Sequence, residues 1–251
     1  MPRLLIAWSL WLLLAAPAWA QSLKVLTTGA FKQVVVVLAE RHMQRTGQRI
    51  EVLNDTAGAL VRRVDGGETF DVLFLTPGGL QGLAAKGRID AASIRPVARV
   101  AIGVAVKAGA PLPALATVED FKAALLAARR VAYIDPAAGG SSGIYLDGLF
   151  QRLGVAEQVR AKAVLVPGGL VAERIVRGEA DLALHQVSEI LPVAGVTLVG
   201  LLPEAIQNRT TYGVGLPAGG AQAAAARAFV ATLAEADVAE LLRTKGMEPV
   251  R

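Results

Sequence analysis

The sequence predicts an α/β fold built on mostly parallel sheets. Short apolar runs alternate with amphipathic segments from end to end, the pattern of strands joined by helices. The run Val72-Leu73-Phe74-Leu75 is wholly apolar, as in a strand covered on both faces. The segments rich in Gly and hydroxyls, at 27–31, 54–58, 76–79, 135–142, 167–169 and 185–189, all follow predicted strands.

In chain order, 23–27 reads as a strand, 28–31 as a loop and 33–46 as a helix stopped by Gly47. Residues 49–53 alternate like a strand, 59–64 form a short helix, 71–75 a strand and 80–86 a helix. A long strand over 100–107 ends at the Gly- and Pro-containing stretch 108–113, and a helix follows over 118–127. Strand 131–134 runs into the small-residue loop at 135–143, and an amphipathic segment over 144–153 leaves it. Strands at 164–166, 181–184, 196–199 and 211–216 complete the sheets. Helices over 170–177, 221–234 and 238–245 complete the layers around them.

Residues 1–20 read as a signal peptide. Arg3 precedes an apolar run, and Pro17-Ala18-Trp19-Ala20 supplies small residues for cleavage after Ala20. The run is shorter than the ~20 apolar residues of a membrane-spanning helix, the alternative being an uncleaved anchor. The expected location is the periplasm, by Sec export, with no stable membrane insertion once the leader is removed. The chain has no Cys, which excludes disulfides, thiol catalysis and a lipid-anchored cysteine. Net charge is +5, spread without a basic block and without interleaved aromatics, so nucleic acid is not an expected partner. Neither a His-x-x-x-His pair nor a tight carboxylate cluster suggests a metal, and no cofactor is called for. Gly140-Ser141-Ser142-Gly143 lacks the spacing of a serine nucleophile elbow.

The segment from Asp135 to Tyr145 carries most of the functional signal. Its glycines let a ligand approach the backbone, and its hydroxyls stand where a helix begins. The first amides of a helix lack intrahelical partners and carry partial positive charge, so they can hold an anion. The other reading is an ordinary strand-to-helix turn capped by Ser142. In parallel sheets ligands sit beyond the carboxyl ends of strands, where all these loops fall.

The first strand and loop, the apolar strand 71–75, Asp135-Pro136, Ser142-Gly143-Ile144-Tyr145 and Arg177-Gly178-Glu179-Ala180-Asp181-Leu182-Ala183 come in an order that resembles the periplasmic molybdate-binding proteins. The resemblance extends to the wider type 2 solute-binding class of ABC transporters. It implies two α/β lobes, 21–100 plus 206–251 and 101–205, joined by crossover strands near 100–107 and 211–216. A ligand would lie between them and closure would be a hinge motion. It also implies a small anionic ligand and an ABC permease as partners.

Carried over by position, the family's oxyanion site falls on Thr28, Gly29 and Ala30, on Thr56, Ala57 and Gly58, on Ser141, Ser142 and Gly143, on Gly168 and Gly169, and on Gln186. Ala30 stands where the family has Ser and Gln186 where it has Tyr, which argues against molybdate and tungstate. Ser188, Gln207 and Asn208 add polar groups suited to carboxylates and hydroxyls, the last two reading equally as a polar linker. The expected function is binding of an organic di- or tricarboxylate. Of Arg62 and Arg63, one is expected in solvent and the other on an anion or on Asp65. His42 is expected at the surface.

The alternative is catalysis on the same fold. The binding-protein class that the chain resembles includes secreted aconitate isomerases. His185 and Glu189, at a strand end, would then be the proton-transfer pair. The competing reading of His185 is a buried, hydrogen-bonded histidine.

Overall fold

The computed structural model describes residues 22–250, so the expected leader lies outside the described residues. The chain runs β1 (Leu23–Thr28), α1 (Gly29–Thr46), β2 (Ile50–Asp55), α2 (Ala57–Asp65), β3 (Val72–Leu75), α3 (Pro77–Ala85), β4 (Arg95–Lys107) and α4 (Val118–Ala127). It continues through β5 (Val131–Ile134), α5 (Ser141–Arg152), α6 (Ala156–Arg160), β6 (Ala163–Val166), α7 (Glu173–Val176), β7 (Leu182–Gln186), α8 (Val187–Ile190) and β8 (Val196–Leu201). It ends with β9 (Arg209–Gly215), α9 (Ala223–Ala231), α10 (Val238–Thr244) and β10 (Glu248–Pro249).

Strand β4 belongs to two sheets. Its first half, to Ala101, pairs antiparallel with β9; from Ile102 it pairs antiparallel with β7, and from Gly103 with β8. The strand order is β2-β1-β3-β9-β4-β7-β5-β6, with β8 and β10 also on β4. The parallel pairs expected from the alternation are β1 with β2 and β3, and β5 with β6 and β7. The antiparallel pairs are those of β4 and β9, and they make both sheets mixed.

Both sheets are covered on both faces, which the period-two side-chain alternation of strands makes visible. Leu23, Val25, Val72 and Phe74 face one core with α1, α9 and α10; Leu26, Leu73 and Leu75 face another with α2 and α3. In the second sheet Val131, Tyr133, Leu182 and Leu184 face one side, while Ala132, Ile134 and Ala183 face the other. Phe31 of α1 stacks on Phe74 with ring centroids 5.0 Å apart. Burial of side chains of this size contributes about 1.5–3 kcal/mol each.

Three local expectations change. Helix α1 starts at Gly29, directly after β1, so 28–31 is not a loop; it ends at Gly47, whose φ of 72° forms a left-handed cap and whose N–H donates to the Met43 carbonyl. His42 is buried, not exposed, because α1 turns it inward against Phe229, ring edge to face at 5.5 Å. The return passage lies before β9. All of β9 pairs with β3 and β4 in the first sheet, so the chain crosses over 202–208 instead of 211–216.

Candidate functional site

The N-terminal ends of α1, α2 and α5 converge with the β7–α8 junction on one cavity of about 270 Å³. Thr28, Thr56, Gly140 and Gln186 are the residues capping these four helices, and all four line it. Helix starts gather here because each follows a strand that ends on the same edge. At α1 and α5, whose caps make no side-chain hydrogen bond, the first amides give the cavity a positive lining without Lys or Arg, while at α2 the Gly58 N–H donates to the Gly139 carbonyl and the Ala59 N–H to Thr56 Oγ1.

The structure brings together twelve of the residues expected at the site: Thr28, Gly29, Ala30, Thr56, Ala57, Ser141, Ser142, Gly168, Gly169, His185, Gln186 and Glu189. Asn54, Asp55, Ile134, Gly140 and Tyr212 complete the lining. Five expected ligand residues lie outside it. Gly58 instead meets Gly139 across the cleft, its N–H donating to the Gly139 carbonyl at 2.9 Å. Gly143 packs against the Ile134 carbonyl, which leaves no room for a side chain there. Ser188, between the lining residues Gln186 and Glu189, is buried outside the cavity with its hydroxyl unpartnered.

Gln207 and Asn208 belong to the crossover. The Gln207 side chain accepts from the N–H groups of Ile102 and Asn208 at 3.0 and 2.8 Å. It donates to the carbonyls of Ile102 and Leu202 at 3.0 and 3.3 Å. Its amide is thereby used up in pinning the return passage to β4 where β4 changes sheets.

Ser142 is not the cap of α5. Gly140 holds that position and Ser141 is the first helical residue, which leaves the first amides of the helix free of a side-chain acceptor. Thr28 also caps without a side-chain hydrogen bond, and its buried hydroxyl has no partner. Among the described residues, the buried side-chain atoms without partners are Thr28 Oγ1, His185 Nδ1, Gln186 Nε2, Ser188 Oγ and His42 Nδ1. Three of these five residues, Thr28, His185 and Gln186, line the cavity. Buried polar groups are normally paired, so this concentration marks a place built to meet a polar ligand.

Two carboxylates face the cavity in different states. Asp55 accepts from the Thr56 N–H at 2.8 Å and meets the Arg63 guanidinium at 3.4 Å, so its charge is compensated from behind. Arg63 also makes a two-pronged bond to Glu68, and Asp65 pairs with Lys86, so neither arginine of α2 reaches Asp65. Glu189 has no cation. Its Oε2 stands 3.2 Å from His185 Nε2, and both side chains are buried. Loss of water pushes the Glu189 carboxyl up to about 8 and holds the His185 imidazole well below its usual range. Both shifts favour an uncharged pair, a protonated carboxyl beside a neutral imidazole, next to the cavity.

The rim is closed. Thr56 Oγ1 donates to the Ala138 carbonyl at 2.6 Å while accepting from the Ala59 N–H, so one hydroxyl caps α2 and bridges the cleft. A larger groove of about 640 Å³ lies at the far end of the first sheet. Its Lys24 and Glu68 pair at 2.9 Å, and Gln222 donates to Asp71 at 3.2 Å. With its polar groups satisfied from within, it is the weaker candidate.

The family profile of the bacterial extracellular solute-binding proteins matches residues 23–248. The chain belongs to that family. This solute-binding protein is 32% identical to the aconitate isomerase of a Pseudomonas species over 235 residues, 91% of this chain and 88% of that one. Its fold matches the periplasmic molybdate-binding protein of Azotobacter vinelandii with a TM-score of 0.77 at 18% identity, covering 92% of this chain and 100% of that chain. The sulfate-binding protein SubI of Mycobacterium tuberculosis gives a TM-score of 0.69 at 16% identity, covering 91% and 87%. The type 2 periplasmic-binding architecture expected from the sequence is therefore the architecture present. Among the described residues of this solute-binding protein, no helix is long and apolar enough to cross a membrane.

Tyr212 lines the cavity although nothing in its local sequence points there. It sits inside a strand of the first sheet, and its hydroxyl donates to Gln186 Oε1 of the second at 2.8 Å. Burial, with the nearby charge of Glu189, holds its phenol well above the usual range, while its hydrogen bonds with Gln186 and Ser141 act in the opposite direction. A side chain whose partner lies across a cleft leaves no local signature.

Proposed function

We propose that this protein interconverts cis- and trans-aconitate in the periplasm, reached by Sec export, with Glu189 as the group that carries the proton. The observation that carries this reading is the buried Glu189–His185 pair opening into a cavity otherwise lined by helix N-termini. The 32% identity to an aconitate isomerase over most of both chains supports it.

Aconitate carries a methylene at one end of its central double bond and a vinylic carbon at the other. Ionised Glu189 takes a proton from the methylene, and the C–H electrons delocalise over the allylic unit into the adjacent carboxylates. The protonated Glu189 then returns the proton to the opposite end of that unit. One C–H bond breaks, another forms, and the new double bond can take the other geometry. The amides at the starts of α1 and α5 stabilise the charge that develops on the substrate carboxylates. His185, 3.2 Å from Glu189, holds the carboxyl in place. A base whose pKa lies near the working pH combines availability with proton affinity, which burial supplies here.

Incubation with trans-aconitate in deuterated water tests the reading. The cis isomer should appear, carrying deuterium at its methylene carbon in those turnovers in which protonated Glu189 exchanges with solvent before it returns the proton. Tight binding without conversion would support a second reading, a tricarboxylate receptor feeding an ABC permease, which the hydrogen-bonded rim at Thr56 and Gly58 favours. Neither conversion nor binding would overturn both.

A further inference from the structure

The side-chain amide of Gln186 has only half of its hydrogen-bonding capacity in use. Its Oε1 accepts from the Tyr212 hydroxyl at 2.8 Å, while Nε2 is buried with no partner. Both residues are 2% exposed and both line the cavity. They come from different sheets, Gln186 from the end of β7 and Tyr212 from β9. A carboxamide is planar, with an acceptor on one side and two donors on the other. A phenol that keeps its proton and donates it fixes which side is the acceptor. The Tyr212 ring lies 6.4 Å from that of Phe31, so the hydroxyl is carried by a packed group.

We propose that Tyr212 is a positioning residue that presents the Gln186 NH₂ to a ligand carboxylate, and that it does so only while the two sheets are held together across the cleft. The inference rests on the isomerase reading above and adds a specificity element to it. The phenol that serves Gln186 comes from the other sheet. A side-chain amide adds a directional donor to the cavity beside the backbone N–H groups of the helix starts.

The test uses the full chain with trans-aconitate as the probe. Tyr212→Phe keeps the ring and removes the hydroxyl; Gln186→Leu keeps the bulk and removes the amide. Each should raise KM by about ten- to a hundredfold, the range for a lost hydrogen bond to a charged group, with kcat within about threefold of the parent. The double variant should be no worse than Gln186→Leu, because the two residues act as one unit. A folded Tyr212→Phe protein with unchanged KM, or additive losses in the double variant, overturns the proposal. A second measurement does not depend on how the Tyr212 variant folds. The Gln186 side-chain amide signal in nitrogen NMR, assigned by its loss in Gln186→Leu, should move when trans-aconitate saturates the parent protein. A signal that stays in place overturns the proposal. Absence of both binding and turnover in the parent protein would remove the functional reading and this inference together, whereas parent turnover with unchanged KM in the variants would remove the inference alone.

Discussion

Glu189 Oε1 lies directly over the Cα of Gly29, so close that a methyl group at position 29 would collide with it. The first residue of α1 and the carboxyl on α8 thus share one volume, and the acid reaches the cavity because residue 29 has no side chain. Gly29 is helical, so the requirement there is space and not an unusual backbone angle.

Gly29→Ala should therefore act on chemistry more than on folding. Alanine at a helical position is favoured over glycine by about 1 kcal/mol, so the melting temperature should hold or rise. Turnover of aconitate should fall by about a hundredfold, the scale of a misplacement of about 1 Å at a reacting centre. Steady-state kinetics with a parallel melting curve would check it, and full activity in the variant would show that Glu189 is not the proton carrier.

Turnover should depend on Glu189 in its ionised form. The rate at low substrate should climb with pH through the neutral range toward about 8, well above the range of an ordinary carboxylate. Glu189→Gln should lose at least about a thousandfold, within the span of general-base contributions, and the residual rate should lose that pH dependence. A rising limb at pH 4 to 5 would place the base elsewhere.

The same burial has a consequence for stability. The Glu189 carboxyl is raised in the folded state, from 4.5 to about 8, so its contribution is fully present below pH 4.5 and is lost as pH rises toward 8. His185 is lowered by burial, so its contribution is present above 6.5 and is lost as pH falls. Glu189→Gln should flatten the decline of melting temperature between pH 5 and 8 relative to the parent protein, measured by calorimetry. Equal slopes in the two proteins would contradict the neutral buried carboxyl.

Closure should be sensitive to Gly58. Its Cα abuts Gly139, and a Cβ at 58 would come within 2.9 Å of the Gly139 Cα, backbone with no rotamer to yield. Gly58→Ala should hold the cleft ajar, weaken ligand binding by about tenfold or more, and enlarge the radius of gyration of the ligand-bound protein in solution scattering. Each tenfold corresponds to about 1.4 kcal/mol. Parent-like affinity would mean that the 58–139 contact is incidental.

Gln207→Ala should cost stability instead of affinity. It leaves the Ile102 and Asn208 N–H groups and the Leu202 carbonyl without their side-chain partners, while the Ile102 carbonyl keeps the Leu202 N–H. Unsatisfied groups of this kind cost about 1–3 kcal/mol each. Urea denaturation should show a loss of at least about 2 kcal/mol. A loss confined to ligand affinity would return Gln207 to the binding site.

Much of the architecture is legible in the order of strands and helices. The spans 118–127 and 131–134 are read from composition alone and recur as α4 and β5. The loops that end strands are legible too, because a helix start exposes its first amides whatever the rest of the molecule does. Ser141 and Ser142 reach the cavity on that basis, whereas Ala57, Gly168 and Gly169 are placed there by the family resemblance. What fails is judgement of polar side chains far from such loops. Gln207 and Asn208 look like ligand groups and are crossover pins; Tyr212 looks like strand filler and faces the cavity.

Local patterning sets strand ends and helix starts, and with them the edge of the sheets that bears the site. Which side chains line that edge is settled by long-range packing. Whether Tyr212 meets Gln186, or Glu189 clears Gly29, depends on strand register and on how β4 joins the two sheets. Those relationships join residues distant in the chain, and local spacing cannot encode them.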